Sequence, residues 1–294
     1  MTERRDTEAF WNACSNVVEL HLSSMPRIQM ANDSFCDKIL TQMRVLKFDC
    51  IGREHMEQLN FIRRCTCLES ILWRTSYLNE EREEFVRYMA RGTWPNLKSL
   101  AFGRIDKDDG TSRLLQAIPQ VVNIDISDAD FGTIAFQALR THFTTLTRLY
   151  LYRCPGASSE LLQDIMCSCH HLEELHGGEI RAGGVAKDGP WVCLSLRKLE
   201  VYFTFGVGNS GVELQPMMFE RLSTLSRLES LNTSDWDKMY DNPDLIALDL
   251  RLEAGLGKLA KLKNMRTIDF LGVNRYLEEK EVRWMISNWK QLRS

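Results

Sequence analysis

One spacing of apolar residues recurs along the whole chain and limits what it can fold into more than any other feature. The pattern apolar-x-x-apolar-x-apolar begins with Val17, Leu20 and Leu22, and over the first seven steps it returns every 24 to 29 residues. A repeat of this length is one supersecondary unit that cannot bury its apolar side chains alone, so neighbouring copies must stack. The sequence therefore predicts a repeat array.

The ten complete copies keep one register. Their second positions are Leu20, Leu46, Ile71, Leu100, Ile124, Leu149, Leu175, Leu199, Leu231 and Ile268. A further slot three residues before each triplet is apolar or cysteine throughout, the last one preceding an unfinished copy at Leu292: Cys14, Leu40, Cys65, Trp94, Ile118, Phe143, Cys169, Cys193, Leu225, Leu262 and Trp289. Because successive residues of a strand point to opposite faces, each triplet predicts the buried side of a short strand.

The segments between the triplets predict helices. Asn79 can cap a helix that begins with a run of glutamates, and Ser158 or Ser159 can cap the segment ELLQDIM. Pro216 is placed at the first position of a helix, where the missing N–H is tolerated. In the last helix we expect one face to carry the apolar residues Val282, Met285, Ile286 and Trp289.

Strands and helices at this period indicate an α/β leucine-rich-repeat solenoid, a horseshoe with a parallel concave sheet, convex helices and about 10–12 repeats. We expect residues 1–294 to form a single solenoid domain, with irregular longer loops near 177–191, 203–215 and 233–245. Leu245, Leu248 and Leu250 fit the triplet inside the longest interval, which predicts an extra strand there.

Composition and charge narrow the function classes. The formal net charge is −3 without a basic block, which argues against nucleic acid and acidic membrane surfaces. No apolar stretch approaches the roughly 20 residues of a membrane span, and no signal-peptide core follows the start. Nine cysteines form no pairwise framework, so we expect free thiols in a reducing compartment, cytoplasmic or nuclear.

Residues 146–175, LTRLYLYRCPGASSELLQDIMCSCHHLEEL, resemble the cysteine-containing, ribonuclease-inhibitor-like repeats of F-box/LRR proteins, with Cys154 and Cys169 at the matching places. The segments WVCLSLRKLEVYF, LDLRLEAGL and EVRWMISNWKQL resemble the fungal members of that family. The resemblance implies repeats that hold a substrate of an SCF ubiquitin ligase, while an N-terminal F-box docks the cullin adaptor. The chain has no F-box motif LP-x-E-x-L-x-x-I, so the adaptor is expected as a partner only where an F-box is supplied upstream.

Two other readings remain open at the level of sequence. A stand-alone repeat scaffold or inhibitor would bind a partner without ubiquitination. An enzyme would use Gly206, Gly208 and Gly211 in GVGNSG as a dinucleotide-binding G-x-G-x-x-G. The neighbouring strands belong to the repeat rather than to a doubly wound sheet, so a plain inter-repeat loop is favoured and no catalytic residue is predicted.

Metal and cofactor chemistry is not expected. Cys167, Cys169, His170 and His171 are four possible zinc ligands, but they stand too close together for the usual two-pair tetrahedral spacing. Cys65 and Cys67 are given the same structural interpretation. The sequence therefore predicts a non-catalytic protein without cofactor or metal.

The candidate binding surface consists of the residues between the buried positions, which point out of the sheet. Tyrosine and arginine, two residue types enriched in interface hot spots, gather near the middle of the array. We expect the partner protein to contact the concave face through Arg148, Tyr150, Tyr152, Arg153, His176, Lys198, Glu200 and Tyr202.

Overall fold

The computed structural model describes residues 9–10, 12–23, 39–48, 55–74, 80–205, 209–233, 248–269 and 277–293. The chain divides into two units, Met1–His142 and Phe143–Ser294. Each is built from short parallel strands that alternate with helical segments, and each is described by itself.

The described residues of the first unit form five parallel strands in chain order. They are β1 (Glu19–Leu22), β2 (Val45–Phe48), β3 (Ser70–Trp73), β4 (Ser99–Phe102) and β5 (Asn123–Asp125). The described helices of this unit are α1 (His55–Ile62), α2 (Glu80–Ala90), α3 (Asp108–Ala117) and α4 (Thr133–Arg140). The cap predicted at Asn79 lies outside the described residues.

The second unit repeats the arrangement. Its strands are β6 (Arg148–Tyr150), β7 (Glu174–Arg181), β8 (Lys198–Thr204), β9 (Ser230–Asn232) and β10 (Thr267–Asp269). Its α-helices are α5 (Ser159–Ser168), α6 (Ala182–Val185), α7 (Asn209–Ser223) and α8 (Glu279–Asn288), with 3-10 helices at Leu252–Ala254 and Leu256–Lys261.

The strand register follows the sequence pattern. In the first unit the second triplet positions stand opposite one another, from Leu20 on β1 through Ile124 on β5. In the second unit the same holds from Leu149 on β6 through Ile268 on β10. Parallel strands joined by helical segments at this repeat confirm the α/β leucine-rich-repeat solenoid.

The slot before each triplet lies in the core. All eleven of its residues are buried, including the cysteines at 14, 65, 169 and 193. The Cys65 Sγ and Cys193 Sγ atoms each lie 3.6 Å from a methionine sulfur, of Met43 and Met166 respectively. Burial raises the pKa of Cys193 to about 12, so this thiol stays protonated and behaves as a small apolar side chain.

Regular structure occupies part of the segments near 177–191 and 203–215, where longer loops were expected. β7 continues to Arg181 and is followed by the short helix α6, while α7 already begins at Asn209. Pro216 therefore stands inside α7 rather than at its start. The buried side chains of Met218 and Phe219 hold this helix to the core, and that packing outweighs the backbone hydrogen bond that Pro216 cannot donate.

At 248–250, the described part of the predicted extra copy, no strand is formed. Leu248 and Leu250 are buried in the expected alternation, yet β9 pairs directly with β10, so no strand stands between them. Most of the loop predicted at 233–245, together with Leu245, lies outside the described residues.

The buried face of α8 also differs from the prediction. Met285 and Trp289 are buried, whereas Val282 and Ile286 are exposed. The buried stripe runs through Glu281 instead, whose carboxylate accepts hydrogen bonds from the backbone N–H groups of Leu252 and Glu278. These partners let a carboxylate occupy a place that periodicity gave to an aliphatic side chain.

Among the described residues, no helix is both long enough and apolar enough to cross a membrane.

Candidate protein-interaction surface

The eight residues predicted to contact a partner all belong to the second unit, on or directly after β6, β7 and β8. Tyr150, His176 and Glu200 are aligned across the three strands and form a row on the open side of the sheet. The chain neighbours Leu149, Leu175 and Leu199 are buried on the opposite side, since consecutive strand residues alternate between the faces.

A hydrogen bond and a ring contact fix Tyr150 in this row. Its hydroxyl donates to Glu174 Oε2 at 2.7 Å. Its ring centroid lies 4.4 Å from that of His176, with the two planes 31° apart. Tyr150 is thus held in one orientation before any partner arrives, which lowers the entropy that binding must remove.

Glu174 organises the charges around this pair. Its side chain lies 3.3 Å from Arg148 Nε and 3.5 Å from Lys198 Nζ, so one carboxylate joins all three strands. Burial by itself raises the pKa of Glu174, but the Tyr150 hydrogen bond and the positive charges of Lys198 and Arg148 outweigh it. The pKa therefore lies below its ordinary value of 4.5.

His176 is held from its other side by Glu200. The Nδ1 atom of His176 lies 2.8 Å from Glu200 Oε2, while its Nε2 atom is buried without a hydrogen-bond partner among the described residues. The contacts with Glu200 and Tyr150 hold the imidazole ring between the two neighbouring strands.

Tyr152 and Arg153 follow β6 at the same edge of the surface. Tyr152 is among the large exposed hydrophobic side chains, and the guanidinium carbon of Arg153 lies 5.1 Å from its ring centroid. Arg153 has a φ of 53°, in the left-handed region that a side chain other than glycine seldom adopts. The turn therefore places the Arg153 guanidinium over an exposed aromatic ring.

Tyr202 lies on β8 beyond Glu200, opposite Glu179 in the strand register. Between His176 and Glu179 the register shifts at Gly177 and Gly178. A Cβ atom at Gly177 would come within 3.0 Å of a Leu162 side-chain carbon, so any larger residue here requires the Leu162 side chain to shift. The shift lets β7 run on and brings Glu179 beside Tyr202.

Two residues of this surface, Glu174 and Glu179, were not predicted from the sequence. Glu174 was not predicted, although it stands at the same repeat position as Arg148 and Lys198. That alternation of charge in successive repeats was the available signal. Glu179 was missed because the register shift is invisible in the sequence; its carboxylate accepts a 2.6 Å hydrogen bond from Thr204 Oγ1.

The first unit carries a different row on the same side of its strands. Leu72 and Ala101 stand between Lys47 and Asp125 in the register. Asp125 accepts a hydrogen bond from Arg74 Nη2 at 2.5 Å. This row has an apolar middle, and at β1 it begins with His21 rather than with a tyrosine–histidine pair.

Two alternative sites were considered from the sequence, a zinc site at 167–171 and a dinucleotide-binding loop at 206–211. The Cys169 Sγ atom faces the backbone oxygens of Phe143 and Leu146, at 3.6 and 3.8 Å. Burial raises the pKa of Cys167. No group of three potential ligands is assembled among the described residues. Gly206 and Gly208 of the glycine motif are outside these residues, and Gly211 belongs to α7.

The repeated strand and helix define a leucine-rich-repeat protein. A scan against protein-family models finds no match, and a search of curated proteins finds none. Among solved structures, a leucine-rich-repeat protein of Leptospira interrogans is similar over 97% of this chain and 85% of its own, at 12% identity and a TM-score of 0.41. At that score the likeness carries no argument.

Proposed function

We propose that this chain is a non-catalytic protein-interaction module that binds a partner protein on the open sheet face of its second unit. The observation that carries the proposal is the row formed by Tyr150, His176 and Glu200. Glu174 orients Tyr150 in this row by accepting a hydrogen bond from its hydroxyl. Rigid aromatic side chains beside arginines are the composition typical of interface hot spots.

The more specific proposal is that the module recognises substrates for an SCF-type ubiquitin ligase. Its support is the resemblance of the repeats to cysteine-containing F-box/LRR proteins. The burial of Cys169 and Cys193 in the repeat slot agrees with that type of repeat. In such a receptor the sheet face holds the substrate, and an F-box elsewhere in the same protein contacts the cullin adaptor.

The test is affinity purification and mass spectrometry after tagging the endogenous gene, so that the protein is captured as the cell makes it. The wild type is compared with the variant Arg148→Ala/Tyr150→Ala/Tyr152→Ala. A matched control, Lys258→Ala/Arg283→Ala, removes exposed charges from the helical side of the same unit. We expect specific partners to be lost from the triple variant and retained by the control.

The outcomes separate the two levels of the proposal. Recovery of a cullin and its adaptor alongside these partners supports the ligase receptor. Partners lost from the triple variant, with no ligase component in any sample, favour a stand-alone scaffold or inhibitor. Partners that bind the wild type and the triple variant equally contradict binding at this face.

A further inference from the structure

Three groups of ion pairs near the beginnings of the strands share one arrangement. A carboxylate on or just before one strand lies between two cations from the segments on either side. Glu174 on β7 stands between Arg148 on β6 and Lys198 on β8. Glu229, just before β9, stands between Arg197 and Arg266, which precede β8 and β10.

The first unit contains the same device. Glu69, just before β3, pairs with Arg44 and with Lys98, which precede β2 and β4. Each of these charge triads, one carboxylate between two cations, holds two positive charges and one negative charge. The triads of Glu69 and Glu229 occupy the same place in their repeats, and the triad of Glu174 lies one residue later in the strand register.

The members of a charge triad differ in how far their side chains are exposed to solvent. The side chains of Arg148 and Lys198 are 45% and 53% exposed, whereas that of Glu174 is 13% exposed. Arg197 and Arg266 are 53% and 45% exposed around Glu229, at 21%. In these two triads the carboxylate is recessed and the cations project, so a molecule that approaches a triad meets its positive charges first.

Two other carboxylates of this face have partners within the chain. Glu200, whose side chain is 38% exposed, contacts His176, and Glu179 contacts Thr204 and Arg181. Glu173 and Asp269 are half-buried. Exposed surface pairs contribute at most about 1 kcal/mol each, so a second carboxylate can share these cations without a large cost.

We infer that the partner of this surface presents an acidic peptide segment, which lies across the strands of the second unit and places carboxylates against the projecting cations. The inference rests on the proposed function and names the chemistry of the partner. Tyr150 and Tyr152 stand beside the cations and supply aromatic contact surface.

The geometry also sets the spacing of the acidic residues. Neighbouring strands lie about 4.8 Å apart, so Arg148 on β6 and Lys198 on β8, which share one row of the strand register, stand about 10 Å apart. An extended peptide advances roughly 3.3–3.6 Å per residue, which makes three residues about 10 Å. Acidic residues three positions apart therefore match Arg148 and Lys198.

The test measures fluorescence anisotropy of the full chain with a labelled synthetic peptide that carries glutamate at every third position among serines and glycines. A second peptide has the same composition with its glutamates consecutive. The protein variant is Arg148→Gln/Lys198→Gln. Its matched control is Lys258→Gln/Arg283→Gln, with the same change of net charge on exposed helical residues.

We expect the spaced peptide to bind more tightly than the consecutive one, and added salt to weaken it. The Arg148→Gln/Lys198→Gln variant loses about five- to tenfold in affinity while the control does not, because two surface pairs of up to about 1 kcal/mol are removed. Equal binding of both peptides, no peptide binding, or unchanged affinity in the variant overturns the inference. Equally tight binding of a single-stranded oligonucleotide of the same charge also overturns it.

Failure here can be told apart from failure of the proposed function. If cellular partners are retained by Arg148→Gln/Lys198→Gln but lost from Arg148→Ala/Tyr150→Ala/Tyr152→Ala, the interaction surface stands and the acidic partner does not. If both variants retain every partner, the proposed function itself fails.

Discussion

Adjacent residues on β6 have opposite environments. Leu149 is fully buried, while Tyr150 stands half-buried on the open face beside His176. Because the side-chain period of a strand is two, shifting the chain by one residue would exchange these environments. A pair of substitutions at neighbouring positions therefore tests the register directly.

We predict that Leu149→Asp destabilises the protein by roughly 4 kcal/mol or more, because it removes buried apolar surface and leaves a carboxylate without a partner in the core. Tyr150→Ala is expected to fold with a thermal midpoint close to that of the wild type and to weaken partner binding. Circular dichroism melts check both variants. Similar losses of stability in the two proteins would contradict the assigned faces.

The charge of Glu174 predicts a pH dependence. Because its pKa in the folded state lies below the ordinary 4.5, its ionised form stabilises the folded protein above about pH 4.5. That contribution is lost as the pH falls through the lowered folded-state value. Thermal melts should therefore show Glu174→Gln less stable than the wild type at pH 7, with the difference shrinking below pH 4.5.

A difference between Glu174→Gln and the wild type that stays constant down to pH 3 would show that the ion pairs around Glu174 do not contribute to folding.

The start of α4 is capped by a residue of the preceding repeat. Asp108 begins α3, and its carboxylate accepts hydrogen bonds from the backbone N–H groups of Gly132, Ile134 and Ala135 at the start of α4, at 2.8, 2.9 and 2.9 Å. The α4 N-cap is Gly132, and a Cβ there would come within 2.7 Å of Asp108 Oδ2. One carboxylate thus replaces the local cap that the sequence of α4 lacks.

We predict that Asp108→Ala lowers the free energy of unfolding by about 1–3 kcal/mol, because three N–H groups lose their acceptor at the positive end of a helix. Its neighbour Asp109 is exposed and lies 3.7 Å from Arg113, so Asp109→Ala should cost less than about 0.5 kcal/mol. Urea unfolding of both variants makes the comparison. An equal cost at the two positions would argue against capping between repeats.

The single-domain expectation for residues 1–294 remains a prediction for the whole molecule. Stacked repeats share interfaces with their neighbours, so one array is expected to unfold in one transition. Leu100→Ala in the first unit and Leu199→Ala in the second should each shift that transition by roughly 2–5 kcal/mol. Circular dichroism and tryptophan fluorescence should agree; two separate transitions, each moved by one variant alone, would show two domains.

The sequence determined the repeat, the register of the strands and the buried slot. Each of these follows from a fixed spacing between apolar residues and needs no knowledge of distant contacts. It also placed Tyr150, His176 and Glu200 in one row, because residues between buried positions must face outward. Tertiary structure decided what spacing cannot encode, since each such feature depends on a partner from another repeat. Glu281 takes an aliphatic place because backbone N–H groups reach it, β7 runs on past a glycine register shift, and Asp108 caps a helix more than twenty residues away.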